Sequence, residues 1–303
     1  MLKITGLTKS YKGFQVLAGL DMNIEKGDVY GFIGTNGCGK TTTMNIICNI
    51  IPKDEGEIAF ENQDVKIGFL PESPELYRYM NGYEYLDFIG ACCEYDGDIN
   101  ARTNEVLTLT GMLGGAKRLI GGYSRGMNQR IGIAAALYSR PDLLILDEPT
   151  SALDPEGRAE VMEIIKKLAE TGSTIILCTH ILADIERVAN KVGILRNGQM
   201  AVEGAIFDVK KKYEDSNAVN VKLHYTPVAS HPICSMEYVE RFELWQGGVT
   251  LYAKQGVSEA EFFYKTVRTL AEHKITPEGI EFKRRSLEQI YMGINSGALV
   301  ERK

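Results

Sequence analysis

The sequence predicts an α/β fold for most of the chain, followed by a small α+β domain. Continuous apolar runs are typical of strands that are buried in a parallel sheet. Polar residues come within two positions of the end of three such runs, which are Val29 to Ile33, Leu143 to Leu146 and Thr174 to Cys178. Open α/β sheets bind ligands in the crevice at the carboxyl ends of their strands. The polar residues after these runs are therefore the candidates for a functional site.

The first run leads into a glycine-rich loop and then into a helix-like segment. The loop fits the pattern G-x4-G-K-[ST] with Gly34, Thr35, Asn36, Gly37, Cys38, Gly39, Lys40 and Thr41. Glycines let backbone N–H groups converge on phosphates, and the helix N-terminus adds partial positive charge. Lys40 reaches the β and γ oxygens, and Thr41 offers its hydroxyl to Mg²⁺. The loop, with Thr42 after it, therefore predicts a site for a nucleoside triphosphate.

The second run ends at two acidic residues. Asp147 follows the run directly, and Glu148 comes next. Because this strand ends in the ligand crevice, Asp147 can hold Mg²⁺ opposite Thr41, directly or through water. Glu148 is placed to polarise an attacking water. Either acid alone is typical of an ordinary strand end, but the phosphate loop gives the pair a function.

Further motifs follow in a fixed order. Tyr123 to Arg130, hereafter the signature segment, precedes the acidic strand. Ser151 to Asp154 follow that strand, and His180 comes two residues after the third run. Together with the phosphate loop, these motifs closely resemble the ATP-binding subunit of an ABC transporter, over about residues 1 to 210. The resemblance implies a P-loop NTPase fold of the ABC type, with a mixed sheet core and a helical subdomain. It also implies an ATPase that couples hydrolysis to transport, with ATP and Mg²⁺ as cofactors.

The resemblance implies roles for residues outside the loop. Tyr11 resembles the aromatic residue that stacks on adenine, but a tyrosine packed on a sheet edge would give the same pattern. Glu148 resembles the general base, and His180 resembles the residue that hydrogen-bonds the γ-phosphate and orients the water. The remaining histidines are interpreted as packed or solvated, and they are His224, His231 and His273.

Ser124 and Gly126 match the serine and the second glycine of the family's signature motif. In that family the motif contacts the γ-phosphate bound to the opposite subunit, so the resemblance implies an ATP-dependent dimer. Arg125 and Asp154 are included in the same predicted nucleotide site. Ser124 has the alternative role of capping the next helix. The family's commonest Leu, Gly and Gln are replaced here by Tyr123, Arg125 and Met127, a pattern similar to that of drug and antibiotic exporters.

A second departure lies at Glu72, where the family usually carries Gln as a Mg²⁺ and water ligand. A carboxylate can still meet the metal but adds negative charge beside the phosphates, so we expect an altered metal preference or a water-mediated contact. Residues 73–122 would form the helical subdomain, with a helix-like stretch from Tyr83 to Tyr95. Its aromatic residues fit a groove for a membrane protein and core packing almost equally well, and they are Tyr77, Tyr79, Tyr83 and Tyr85.

Composition restricts the function classes. The chain has 303 residues, of which 44% are hydrophobic, which is enough for one substantial core and a smaller domain. With 34 basic and 40 acidic residues, a broad basic face for nucleic acid is not expected. The six cysteines lack metal-ligand spacing, and disulfides are not expected in the ATP-rich cytosol. A lowered pKa is expected for Cys38, because it lies at a helix N-terminus among backbone amides.

The sequence shows no apolar stretch near the roughly 18 residues that cross a bilayer, and no signal-peptide pattern. Transport would therefore need a separate transmembrane permease, with this chain docked peripherally on the cytoplasmic side of the cell membrane. A different interpretation is a soluble ATP-gated clamp that acts on protein, ribosome or DNA, although the long coiled coil or second ATPase domain of such proteins is not found. A regulatory module that never hydrolyses ATP is disfavoured, because the catalytic motifs are retained.

Residues 1–214 are expected to form the ATP-binding domain, and residues 215–303 a separate accessory α+β domain. The polar stretch 210–217 marks the boundary. Alternation from Val219 to Leu223 predicts a strand, and Gly247 with Gly248 predicts a hairpin. Two capping-box patterns predict helix starts, at Ser258 with Glu261 and at Ser286 with Gln289. No catalytic constellation occurs in this domain.

Overall fold

The computed structural model describes residues 1–213 and 218–297. The chain divides into two units, Met1–Val209 and Lys210–Lys303. The boundary expected at residue 214 lies outside the described residues, and the observed division falls a few residues before it. All of the predicted nucleotide motifs belong to the first unit.

Strands and helices alternate through much of the first unit. Among the residues that the structure describes there, the strands are β1 Leu2–Tyr11, β2 Phe14–Ile24, β3 Val29–Gly34, β4 Glu55–Phe60, β5 Ile67–Leu70, β6 Leu143–Asp147, β7 Thr174–Cys178, β8 Lys191–Arg196 and β9 Gln199–Ala205. The helices are α1 Lys40–Ile47, α2 Gly82–Cys92, α3 Ile99–Leu109, α4 Arg125–Leu137, α5 Pro155–Glu170, α6 Leu182–Val188 and α7 Ile206–Lys212, which continues past the division. A short 3-10 helix covers Ile120–Gly122.

Six strands form a mixed sheet in the order β5-β6-β7-β3-β8-β9. The first five run parallel, and β9 pairs antiparallel with β8. Every residue of β3, β6 and β7 is buried, which explains their continuous apolar sequences. Cys178 pairs with Phe32 on one side and with Asp147 on the other. The predicted α/β fold with a mixed sheet is confirmed, and the strand ends that carry the motifs lie side by side.

A second sheet is antiparallel, in the order β2-β1-β4. One buried cluster takes side chains from both sheets and from α1. A tight turn joins β1 to β2: Tyr11 pairs with Phe14, and Lys12 and Gly13 between them have φ of 48° and 83°. Positive φ at both central residues matches the twist of a two-residue hairpin. The turn fixes Tyr11 at the end of β1.

Helices α2 and α3 lie in the segment expected to be a helical subdomain. Asn81 caps α2, because its Oδ1 accepts a hydrogen bond from the N–H of Glu84 while Oε2 of Glu84 accepts one from the N–H of Asn81. This is a complete capping box. The helix was expected to reach Tyr95 but ends at Cys92, where Glu94 soon follows with a left-handed φ of 49°.

Strand β5 packs directly against helix α4 through two glycines. A Cβ atom at Gly68 would lie 2.1 Å from the carbonyl oxygen of Ala136, and one at Gly132 would lie 2.6 Å from Cδ1 of Leu70. A side chain at Gly68 would force strand and helix apart, whereas one at Gly132 would require the Leu70 side chain to move. Glycine therefore allows α4, which contains most of the signature segment, to lie very close to the strand that leads to Glu72.

The second unit is a small α+β structure. Among its described residues, the strands are β10 Ala218–Lys222, β11 Val239–Trp245, β12 Gly248–Ala253 and β13 Gly279–Phe282, and the helices are α8 Glu259–Glu272 and α9 Leu287–Ser296, with a short 3-10 helix at Pro232–Cys234. The strands form an antiparallel sheet in the order β11-β12-β10-β13. One face of this sheet packs on α8.

The sequence patterns of the second unit agree with these elements. The β11–β12 hairpin turns at Gly247, which has a φ of 85°. Ser286 and Gln289 form a complete capping box at α9. Ser258 caps α8, but the side chain of Glu261 pairs with Lys265 at 2.7 Å and does not complete the box.

The longest helix in the described residues is α5, with 16 residues, and it buries only one face. Across 1–213 and 218–297, no helix has both the length and the apolar composition that a membrane crossing requires.

Candidate active site

The predicted site residues line one cleft at the carboxyl ends of β3, β6 and β7. The cleft has a volume of about 430 Å³. From the phosphate loop it is lined by Asn36, Gly37, Gly39, Lys40, Thr41 and Thr42. From other elements it is lined by Tyr11, Val16, Glu72, Asp147, Glu148 and His180. Distant parts of the sequence thus form one surface, whereas Gly34, Thr35 and Cys38 are not part of its lining.

The phosphate loop folds around the ammonium group of Lys40. Lys40 is 7% exposed, and its Nζ donates to the carbonyl oxygens of Gly34 and Thr35 at 2.8 and 3.3 Å. Gly39 has a φ of 112°, and a Cβ atom there would lie 2.6 Å from Cδ2 of Leu17, so only glycine fits. Helix α1 begins at the next residue. The helix N-terminus therefore lies at the cleft wall, which is a geometry that binds phosphate.

Thr41 and Asp147 join the loop to the acidic strand. Oγ1 of Thr41 donates to Oδ2 of Asp147 at 2.8 Å, and Oδ1 of Asp147 is buried without a hydrogen-bond partner among the described residues. Burial raises the pKa of Asp147, the hydrogen bond from Thr41 opposes this only in part, and the charges of Glu148 and Glu72 raise the pKa further. A cation here would satisfy the free oxygen and offset three like charges. Thr41, Asp147 and Glu72 therefore fit Mg²⁺, which prefers such oxygen ligands.

Glu148 and His180 form a hydrogen bond inside the cleft. Oε2 of Glu148 lies 2.9 Å from Nδ1 of His180. Glu148 is 7% exposed, whereas the His180 side chain is 56% exposed. The φ of Glu148 is 49°, a left-handed conformation that is costly for a residue with a side chain. It turns the chain directly after Asp147, so that both acids reach the same cleft.

Tyr11 and Val16 line the cleft from the β1–β2 hairpin. Tyr11 is 45% exposed, and the Lys9 ammonium lies 5.6 Å from the centre of its ring. A partly exposed ring at a cleft wall has the geometry that stacking on a base needs. Val16 was not predicted from the sequence. The turn at Lys12 and Gly13 was the available signal, since a hairpin there brings Val16 back beside Tyr11.

The signature segment lines a different cleft from the phosphate loop. This second cleft, of about 400 Å³, is lined by Ser124, Arg125, Gly126, Ala152, Asp154, Glu156, Gly157 and Glu160. Ser124 and Asp154 cap α4 and α5, because each side chain accepts a backbone N–H from the first turn of its helix at 3.2 Å. Nη1 of Arg125 donates to the carbonyl oxygen of Ala152 at 3.4 Å. One chain thus presents its phosphate loop and its signature segment on separate surfaces.

The expected lowering of the Cys38 pKa is wrong. The pKa is raised, because burial of the thiol outweighs the positive charge of Lys40. Cys38 is 8% exposed, and a Cβ atom added at Gly34 would lie 2.4 Å from its Sγ. The side chain belongs to the hydrophobic core and does not line the cleft. A helix N-terminus favours a thiolate only where burial does not cost more.

Glu72 lines the nucleotide cleft and is tied to the signature helix. Its carbonyl oxygen accepts a hydrogen bond from Nε2 of Gln129 at 3.2 Å. Gln129 is 7% exposed and lies in the signature segment. This bond adds to the close glycine packing between β5 and α4.

A hydrogen-bonded cluster beside the cleft was not found from the sequence. Asp184, in α6, accepts hydrogen bonds from Thr150 and from Arg158. Its partners lie 34 and 26 positions away in the chain, so no local motif joins the three residues. Only the fold brings them together.

The fold and the cleft define a phosphate-loop nucleotide hydrolase. A loop of backbone amides is followed by a helix, an acidic pair ends the strand two places away, and a histidine follows the strand between them. This arrangement binds phosphates and activates water in one place.

Comparison with known proteins identifies the family. The family model for ABC transporters matches residues 17–151. The lantibiotic transport ATP-binding protein SrtF of Streptococcus pyogenes is 38% identical over 209 residues, which cover 67% of this chain and 90% of SrtF. The bacitracin transport ATP-binding protein BcrA of Bacillus licheniformis is 39% identical over 222 residues, which cover 70% of this chain and 72% of BcrA. The chain belongs to the ABC transporter family of ATP-binding proteins.

Solved structures agree with this assignment. The dimeric post-hydrolysis structure of the ATP-binding cassette MJ0796, bound to ADP and Pi, superposes with a TM-score of 0.61 at 27% identity, covering 68% of this chain and 99% of that one. The protein is therefore an ATP-binding ATPase subunit of a transporter, as the sequence motifs predicted.

Proposed function

We propose that this protein is the motor subunit of an ABC exporter and drives a separate transmembrane permease. Export is supported by relatives named for lantibiotic transport, bacitracin transport and linearmycin resistance. The Arg125 and Met127 version of the signature segment supports the same conclusion. The catalytic part rests on one observation: the hydrogen bond between Glu148 and His180 lies in the same cleft as the contact between Thr41 and Asp147.

Two copies bind ATP between them, head to tail. The phosphate loop and the signature segment of one chain line separate clefts. Ser124, Arg125, Gly126 and Asp154 are therefore available to the nucleotide that a second copy holds in its own phosphate loop. The dimeric cassette among the similar structures supports this arrangement. Nucleotide then holds the two copies together, and its hydrolysis releases them.

Thr41 and Asp147 would hold Mg²⁺, with Glu72 as a further or water-mediated ligand. When bound, the ion would neutralise negative charge on the triphosphate. Asp147 supports this role through its free buried oxygen and through the like charges around it. Lys40 adds a second positive charge to the β and γ oxygens, and the backbone N–H groups at the start of α1 complete the phosphate site.

Hydrolysis proceeds by attack of water on the γ-phosphorus. Glu148 accepts a proton from the water as its oxygen bonds to phosphorus, and the bond from phosphorus to the bridging oxygen breaks. ADP and inorganic phosphate result. His180 hydrogen-bonds the γ-phosphate and orients the water, and its contact with Glu148 aligns the two groups. Tyr11 stacks on the adenine at the opposite end of the cleft.

The membrane partner docks on the aromatic surface of the helical segment, and the protein works peripherally on the cytoplasmic side of the cell membrane. Tyr77 and Tyr79 are 42% and 72% exposed, and Phe88 is 39% exposed. Their rings contact one another around Tyr77. Exposed aromatic residues favour interfaces, and no nucleic acid partner is needed. Tyr85, by contrast, is buried and belongs to the core.

Dimerisation of a slow variant tests this proposal. Glu148→Gln should bind ATP with Mg²⁺ without turning it over, so the protein should shift from monomer to dimer in light scattering when both are added. A second variant, Ser124→Arg, should hydrolyse poorly and stay monomeric, because it blocks the signature cleft and leaves the phosphate loop intact. If Glu148→Gln stays monomeric at saturating MgATP, both alone and with its permease, the shared site is rejected.

A further inference from the structure

We propose that Asp184 is a positioning residue that sets the geometry between Glu148 and His180. The inference rests on the function proposed above, because it assigns Asp184 to the same reaction. Asp184 does not line the nucleotide cleft. It therefore acts through the residues that it holds.

Asp184 is buried and both of its carboxylate oxygens are paired. Its side chain is 5% exposed. Oδ2 accepts a hydrogen bond from Oγ1 of Thr150 at 2.8 Å. Oδ1 accepts from Nε and Nη2 of Arg158 at 3.0 and 2.8 Å. A buried carboxylate needs hydrogen-bond partners that replace its hydration, and here three donors on two side chains supply them.

One partner of Asp184 lies in the loop between β6 and α5, and the other lies in α5 itself. Thr150 comes two residues after Glu148, and Arg158 lies in the first turns of α5. Asp184 itself comes four residues after His180, in α6. One carboxylate therefore fastens the loop that begins at the catalytic base to the segment that begins at the histidine.

The loop has a backbone that needs such support. Glu148 and Ala152 have φ of 49° and 58°, and left-handed conformations of residues with side chains persist only where the surroundings fix them. Thr150 lies midway between these two residues. Its hydroxyl donates the only side-chain hydrogen bond that the structure records for it among the described residues, so Asp184 holds the middle of the segment between these two left-handed residues.

The same loop takes part in both clefts. Glu148 lines the nucleotide cleft, and Ala152 and Asp154 line the signature cleft. Loosening the loop would lengthen the contact between Glu148 and His180 and would move the edge that faces a second copy. Misplacing a catalytic group by about 1 Å can cost about 100-fold in rate. Binding of ATP, which depends on the phosphate loop, would change little.

Removal of single contacts tests the proposal. Thr150→Val keeps the shape of the side chain but removes the hydroxyl, and Thr150→Ser keeps the hydroxyl. Asp184→Asn keeps the size but removes the charge. We expect Thr150→Val and Asp184→Asn to lower kcat by about 10-fold to 100-fold with the KM for ATP almost unchanged. We expect Thr150→Ser to restore kcat.

A matched control uses another ion pair between the same helices. Nη2 of Arg187, in α6, lies 3.8 Å from Oε2 of Glu163, in α5, and both side chains are 48% exposed. Arg187→Met removes a link between α5 and α6 that does not involve the loop. Its kcat should stay within about twofold of the wild-type value, because exposed ion pairs contribute little.

The outcomes separate this inference from the proposed function. If folded Thr150→Val and Asp184→Asn have the kcat of Arg187→Met while Glu148→Gln is inactive, Asp184 has no positioning role and the proposed base stands. If Glu148→Gln hydrolyses ATP normally, the proposed function itself fails. If Asp184→Asn does not fold, the kcat of Thr150→Val alone tests the proposal, because that variant removes only one hydroxyl group. The double variant should be no slower than the slower single variant, and multiplicative losses would count against a shared contact.

Discussion

Oγ1 of Thr41 donates a hydrogen bond to Oδ2 of Asp147 at 2.8 Å. Thr41 lies in the helix that follows β3, Asp147 ends β6, and β7 lies between these two strands in the sheet. The contact joins the first helix to the end of the acidic strand. Because β3, β6 and β7 are buried along their whole length, the strands hold this geometry rigidly. The proposed catalytic groups that follow the same strands are therefore placed by the core of the protein.

Replacement of the base should separate binding from hydrolysis. Glu148→Gln keeps the size of the side chain but cannot accept the proton of the attacking water, so we expect turnover to fall by about 10² to 10⁴. Affinity for ATP should change little, because Lys40 and the loop are intact. Phosphate release and equilibrium dialysis measure the two quantities. Hydrolysis at a near-normal rate would remove Glu148 from its role.

The charge of Glu72 should affect the use of Mg²⁺. Glu72→Gln removes one of the acids that raise the pKa of Asp147, and a neutral amide attracts a divalent cation less than a carboxylate does. We expect the Mg²⁺ concentration for half-maximal hydrolysis to rise severalfold. Glu75→Gln is the control, since Glu75 lines a different cleft. Equal Mg²⁺ curves for Glu72→Gln and the wild type would argue against a metal role.

Thiol labelling should spare the phosphate loop. Cys92 and Cys93 are exposed, whereas burial raises the pKa of Cys38 and raises that of Cys48 to about 12. A thiol reagent at pH 8 should therefore modify Cys92 and Cys93 first, because the thiolate is the reactive form. Mass spectrometry of partially labelled protein identifies the modified cysteines. Replacing both Cys92 and Cys93 with Ser should abolish the fast phase of labelling. Early labelling of Cys38 with loss of ATPase activity would show that its thiol is accessible.

The aromatic residues of the helical segment should differ in what they stabilise. Tyr85 is 7% exposed and Tyr79 is 72% exposed. Tyr85→Ala should lower the free energy of unfolding by about 3–5 kcal/mol, as for other large core residues. Tyr79→Ala should change it by less than about 0.5 kcal/mol but weaken association with the permease. Urea denaturation and co-purification distinguish the two effects, and equal losses of stability would contradict the assignment.

The second unit should lose stability in acid through Glu243. Hydrogen bonds from Tyr252 and Arg241 lower the pKa of Glu243 from 4.5 to about 2. The pKa of Glu243 is lower in the folded protein than in the unfolded chain. The stabilisation is therefore fully present above about pH 4.5 and is lost as the pH falls towards 2. The side chain is 51% exposed, so solvent limits the effect to about 1 kcal/mol or less.

Comparison of two variants at two pH values tests this dependence. Glu243→Gln should be less stable than the wild type in urea at pH 7 and almost equal to it near pH 2. Glu240→Gln, which changes an exposed acid on the same strand, should follow the wild type at both. A constant difference between Glu243→Gln and the wild type across this range would contradict the assigned pKa.

Local motifs made much of the nucleotide cleft predictable. The spacing of Gly34 to Thr41 encodes a backbone conformation, and the apolar runs before Asp147 and His180 encode buried parallel strands. Because parallel strands end at one edge of a sheet, the lining of one cleft by Lys40, Asp147 and His180 follows from sequence alone.

Other features depend on packing that no local pattern reveals. Tyr77 and Tyr85 belong to one aromatic stretch, but only the folded helix decides which of them is buried. The core position of Cys38 reverses the pKa that its place in the loop suggested. The contacts of Asp184 join residues that are 26 and 34 positions apart. Such features arise from tertiary structure, and sequence spacing carries little information about them.

Close glycine packing between β5 and α4 joins the helix that contains most of the signature segment to the strand that leads to Glu72. At Gly68 the backbone of the strand lies almost against the backbone of the helix, so no flexible side chain separates them there. In the proposed pair, a force exerted on Ser124 by a second copy would be passed from α4 to β5. The two nucleotide sites of the proposed pair would then be mechanically coupled through the packing of α4 on β5.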